Sequence, residues 1–165
     1  MRAIVAVSAL ILTGVLAAPV AAKESLGVFG QWGAFKDADK PVCYAIAAAE
    51  DSRSTRDGSP YVSIATWPAR QIRGQFHIRL SEQIADQATI NLVVGARRFV
   101  LTGSGADAWA PGPREDAQIL SAIRSASRMS VSASNMTGSR FTDRYSLDGA
   151  ATAMDAASVG CGRRR

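Results

Sequence analysis

Gln75-Phe76-His77-Ile78-Arg79-Leu80 alternates polar and apolar side chains without a break, the period of two that marks a strand with one buried and one wet face. Phe76, Ile78 and Leu80 are expected inside, and His77 outside with Gln75 and Arg79. Outward from this stretch, the same reading predicts strands over 29–35, 42–48, 61–67, 90–94, 98–102, 129–133 and 140–147. Between them lie Asp57-Gly58, Gly103-Ser104-Gly105 and Thr137-Gly138, where glycine tolerates the positive φ of tight turns. Many short strands with frequent turns predict a sandwich or a barrel. The fold class expected is mainly β: an antiparallel β-sandwich with one amphipathic helix and a short C-terminal helix.

The amphipathic helix follows Pro111-Gly112-Pro113. Glu115 and Asp116 stand at its start, Ile119 and Ile123 share a face, and Arg124 and Arg128 lie toward its end, which matches the helix dipole. Leu147, Ala151, Met154, Ala157 and Cys161 recur at steps of three or four and predict the terminal helix, with Gly149 inside its first turn and Gly160 near its end weakening the propensity. The expected core is Trp32, Phe35, Tyr44, Ile46, Val62, Ile64, Phe76, Ile78, Leu80, Leu92, Phe99, Leu101, Trp109, Ile119, Ile123, Val131 and Leu147.

The chain has 165 residues, 47% of them apolar and 20% charged. These values fit one globular domain and exclude wholesale disorder. At the N-terminus, Met1-Arg2 precedes an apolar stretch over 3–16 and then Pro19-Val20-Ala21-Ala22, a secretory leader pattern. Residues 1–22 are therefore expected to be cleaved, leaving 23–165 as a single domain with no transmembrane span. Loss of Arg2 lowers the formal net charge of +5 by one, and Arg163, Arg164 and Arg165 carry most of what remains. The body is nearly neutral, so nucleic-acid binding is not expected. The arginine tail reads as a solvated terminus or as a weak contact with an anionic membrane surface.

Export changes the meaning of Cys43 and Cys161, because two thiols in an oxidising compartment normally end as a disulfide. An intermolecular bridge and a redox pair are the alternatives, although the two form no C-x-x-C. Joined, they close a loop of about 119 residues, for which chain entropy gives about 4.7 kcal/mol.

Chemistry is sparse. With one histidine and two distant cysteines the chain does not fill a common zinc site, and no metal or cofactor is expected. His77 is the only imidazole base, no G-x-S-x-G elbow exists, and both phosphate-cradling glycine motifs are missing. The carboxylate pairs Asp37/Asp39, Glu50/Asp51 and Glu115/Asp116 stand beside turns or in a helix's first turn, where each has a structural use. The chain is therefore not expected to be an enzyme. The ligand-facing residues expected are His77 and Arg79 on the wet strand face, and Trp67, whose following Pro68 ends a strand or marks an edge.

Gly30-Gln31-Trp32-Gly33-Ala34-Phe35, Cys43-Tyr44-Ala45-Ile46, Tyr61-Val62, Trp67-Pro68, Phe99-Val100-Leu101, Ala108-Trp109, Ile123-Arg124 and Asp143-Arg144-Tyr145-Ser146-Leu147-Asp148-Gly149 occur in this order before Cys161. The set resembles the invasion-associated locus B family over nearly all the chain after residue 22. That resemblance implies an exported β-rich protein of Gram-negative cells, periplasmic or associated with the outer membrane, and implies no catalytic residue. The expected function is a non-enzymatic binding or accessory module of the envelope whose partner is an envelope protein or glycan. The rivals are a surface-exposed adhesin or invasion factor, and a small cell-wall or glycan hydrolase using acids such as Asp37 or Asp143.

Overall fold

A computed structural model describes residues 23–37, 39–50 and 59–162. The expected leader, the Asp57-Gly58 turn, Asp51 and the Arg163–Arg165 tail lie outside the described residues. Among the described residues ten strands run β1 (Glu24–Phe29), β2 (Trp32–Asp37), β3 (Val42–Ala48), β4 (Tyr61–Trp67), β5 (Ile72–Arg79), β6 (Ile90–Val94), β7 (Arg97–Ser104), β8 (Asp107–Trp109), β9 (Arg128–Ser134) and β10 (Arg140–Ser146). The helices are α1 (Pro113–Ile123) and α2 (Ala150–Gly162). Every strand pair is antiparallel, and the spatial order is β1-β2-β3-β4-β5-β8-β7-β6-β9-β10. The mainly β, sandwich-like class expected from the alternation is what the chain forms.

The sheet curls until its far end meets its near half. Glu50 N–H donates to the Arg144 carbonyl at 2.7 Å, Gln31 N–H to Asp148 at 3.2 Å, and the Trp32 indole Nε1 to the Ser146 carbonyl at 2.9 Å. Between the two halves lies one apolar core in which Trp32, Phe76, Ile78, Leu92, Val131 and Tyr145 are fully or almost fully buried. At the junction Gly149 has φ +84°, and a Cβ there would collide with the Phe29 carbonyl oxygen. Only glycine suits both demands.

α2 packs against β1 through β4. Ala150, Ala153, Met154 and Ala157 are its buried residues, so small side chains let it lie close to Cys43, Ala45 and Ala47 on β3. Cys161 in its last turn is disulfide-bonded to Cys43, with 5.7 Å between the Cα atoms. That is the intramolecular pairing expected for an exported chain.

Several expectations need correction. The single strand read over 29–35 is the end of β1, a turn at Gly30-Gln31 and the start of β2. β1 was missed because Gly27 interrupts an exposed, weakly patterned segment. β8 was missed because three residues are too few to display a period. Arg128 opens β9 rather than closing α1, whose C-cap is Arg124. Gly149 precedes α2, and the buried stripe runs through Ala150 and Ala153 where Ala151 was expected. Phe35, Tyr44, Ile46 and Phe99 are only half-buried and Trp109 is exposed, whereas Tyr145 and Met129 belong to the core.

Candidate ligand-binding face

Residues directly opposite each other on antiparallel strands project from the same side of the sheet, so the registers assemble rows across the outward face. One row runs Gly33, Ile46, Ser63, His77, Trp109 and Thr102. The next runs Ala48, Tyr61, Arg79, Asp107 and Ser104. A third begins with Phe35, Tyr44, Ala65 and Gln75. Four aromatic or aliphatic side chains assigned to the core by their alternation (Phe35, Tyr44, Ile46 and Trp109) therefore stand on this outer surface.

His77 sits at the centre. Its ring centroid lies 5.1 Å from that of Trp109 and 5.7 Å from that of Tyr61, the latter edge-on. His77 Nε2 is 2.9 Å from Asp107 Oδ1, and Arg79 donates to Asp107 Oδ2 at 2.5 Å. One carboxylate thus holds His77 and Arg79 of β5 from the adjacent strand, and the side chains of all three are less than one-third exposed. At the other end of the face, Trp67 Nε1 donates to Gln75 Oε1 at 3.1 Å and the Arg70 guanidinium lies 5.0 Å from the Trp67 ring centre. The structure therefore brings His77 and Arg79 together through Asp107 and places Trp67 farther along, past a bulge in the β4–β5 pairing. Tyr61, Asp107 and Trp109 went unnoticed as site residues in the sequence. The turn residues Gly105 and Pro111 that bracket Asp107-Ala108-Trp109 are the one sequence mark near the last two, since three residues are too few to display a period.

Beside Tyr61 the face sinks into an open cleft of about 440 Å³ whose lining includes Val28, Gly33, Phe35, Ile46, Pro60 and Tyr61. Val28 and Trp109 are exposed, at 73% and 37%.

Ser63, His77 and Asp107 form a hydroxyl–imidazole–carboxylate chain, since Ser63 Oγ lies 3.4 Å from His77 Nδ1. With Nε2–H donating to Asp107, Nδ1 is left to accept the serine proton. A hydrolase also needs convergent N–H donors for the oxyanion. Ser63 lies on β4, flanked by β3 and β5, and its strand amides are committed to those ladders.

Three of the acids considered for hydrolysis, Asp37, Asp143 and Asp116, have a local partner. Asp37 Oδ1 accepts from Asp39 N–H at 3.0 Å and Lys40 N–H at 3.2 Å, which shapes the β2–β3 turn. Asp143 faces the interior and accepts the Ser81 N–H at 2.9 Å. Burial pushes its carboxyl above the ordinary value, more strongly than the Ser81 hydrogen bonds lower it. Asp116 on α1 accepts the Phe76 N–H at 2.7 Å beyond the end of β8, and burial raises its carboxyl as well. Among the described residues no group of three metal-binding side chains occurs.

No family model matches the chain, and a search of curated proteins found no significant match. Among solved structures the chain is similar to invasion associated protein B from Bartonella henselae, with a TM-score of 0.58, 10% identity, and coverage of 83% of this chain and 98% of that one. At that identity the likeness establishes the fold, and it supports the motif-based resemblance at the level of architecture. None of the described helices is long and apolar enough to cross a membrane.

Proposed function

We propose that the chain is an exported, non-enzymatic accessory protein of the bacterial envelope, of the invasion-associated locus B type, that docks a protein partner on the face around His77. The observation that carries this reading is the Tyr61–His77–Trp109 aromatic cluster pinned by Arg79 and Asp107 beside an apolar cleft. Tyr, Trp and Arg are the side chains that dominate binding energy at protein interfaces, and a rimmed apolar patch marks such surfaces. The Cys43–Cys161 bond fits an oxidising compartment, and the leader pattern of residues 1–22 fits export.

The test is cross-linking pull-down from the envelope fraction with wild type and Trp109→Ala, analysed by mass spectrometry. A protein recovered with wild type and lost with the variant supports the proposal. Capture of glycan fragments alone, or of a cytosolic set of proteins, contradicts it.

A second reading, a surface-exposed invasion factor, draws on the name of the solved protein that shares this fold. Protease treatment of whole cells separates the two, since a periplasmic protein survives and a surface protein is cut.

A further inference from the structure

The other half of the sheet carries a feature that the docking face does not use. Its outward row reads Arg98, Val93, Ser130 and Arg144 across β7, β6, β9 and β10. Arg128 stands opposite Ser146, and Arg140 opposite Ser134. All four arginines are exposed. Several other cations of the described residues are engaged: Arg79 by Asp107, Arg124 by Asp155, Lys36 by Glu24, and Arg97 by the Gln118 carbonyl. Arg98, Arg128, Arg140 and Arg144 have no such side-chain partner among the described residues.

Arg128 and Arg144 share an open cleft of about 280 Å³ with Ser127, Ser130, Gly95 and Glu50. Two guanidinium forks and two hydroxyls supply donors suited to phosphate oxygens. The basic face is wider than one small anion. Three strand spacings of about 4.8 Å separate β7 from β10, which puts the backbones of Arg98 and Arg144 roughly 14 Å apart. Val100, 58% exposed, projects from the same side two residues beyond Arg98 and offers an apolar contact among the charges.

We propose that this face is a membrane-docking surface that binds phosphate-bearing lipid headgroups, with one phosphate seated between Arg128 and Arg144. The width of the array and the exposed valine favour a surface of anions over a single soluble one. Glu50 at the cleft opposes the ligand's charge, so its removal strengthens binding. The face is separate from the one around His77, and the proposal stands or falls independently of the protein-docking reading.

The experiment is co-sedimentation of the purified, disulfide-bonded protein with vesicles of phosphatidylcholine alone or mixed with phosphatidylglycerol, at several salt concentrations. Wild type is expected to bind only the anionic vesicles, less so as salt rises. Binding should fall about fivefold for each guanidinium removed, hence roughly 25-fold for Arg98→Gln with Arg144→Gln. Glu50→Gln should bind more tightly, and circular dichroism checks that each variant is folded. Deletion of Arg163 to Arg165 should leave most of the binding intact. Binding that persists in the double variant, that vanishes only with the tail, or that is displaced by inorganic phosphate at matched ionic strength overturns the proposal. So does failure of wild type to bind anionic vesicles.

Discussion

Cys161, in the last turn of α2, is covalently bonded to Cys43 in β3, 118 residues earlier, so the final helix is tied to the strand against which it packs. α2 is rich in small residues and contains Gly160 and Gly162. Its own propensity is modest, and packing with the bond must hold it.

Reduction, or replacement of both cysteines by alanine, is therefore expected to lower stability by about 2–5 kcal/mol. Urea denaturation with and without reductant measures the loss. Hydrogen exchange should show α2 opening before β3 and β4. An unchanged midpoint would mean that the closed loop contributes nothing.

Two tryptophans should separate stability from binding. Trp32 is fully buried and its indole bonds to Ser146, bridging β2 to the end of β10, so Trp32→Ala is expected to cost about 3–5 kcal/mol. Trp109 is 37% exposed on the open face, and Trp109→Ala should cost less than about 1 kcal/mol while abolishing partner capture. Equal destabilisation by the two would return Trp109 to the core.

The Tyr145 hydroxyl is buried without a hydrogen-bond partner among the described residues. Burial, with the Asp143 carboxylate nearby, pushes its ionisation far upward. Since a buried unsatisfied polar group costs about 1–3 kcal/mol, Tyr145→Phe should leave stability unchanged or raise it. A loss of more than about 1 kcal/mol on thermal or urea unfolding would reveal a bond to the hydroxyl.

Asp143 makes stability depend on pH with a definite sign. Its carboxyl is raised above 3.8 by burial, so across the window from 3.8 up to that raised value the folded chain keeps a proton that the unfolded chain has lost. Stability from this group therefore falls as pH rises through the window and returns on acidification. Asparagine can still accept from Ser81 N–H but does not titrate. The stability of wild type relative to Asp143→Asn should decline across the window and then level off, and parallel pH curves would contradict the assignment.

The sequence shows the strands best where one face is apolar and the other is not. β4 and β6 fall on the residues expected from alternation. At β2 and β3 the pattern fails as a guide to burial because both faces carry apolar or aromatic side chains, and Phe35, Tyr44 and Ile46 turn outward. His77, Arg79 and Trp67 were legible as wet-face or edge residues. Their meeting with Asp107 and Trp109 was not, because it depends on β8 inserting between β5 and β7. That order follows from tertiary pairing and leaves no periodic mark in three residues. The isolated arginines of β7, β9 and β10 read individually as ordinary solvated charges, and only the strand order gathers them.

The outward face around His77 is proposed to engage a protein in the envelope. That engagement is tested most directly by placing a photoreactive amino acid at position 109, and at position 159 on the exposed side of α2, and irradiating cells. One discrete protein adduct is expected from position 109 and none from position 159. Adducts of equal yield and pattern at both positions, or none at 109 in folded, disulfide-bonded protein, would contradict it.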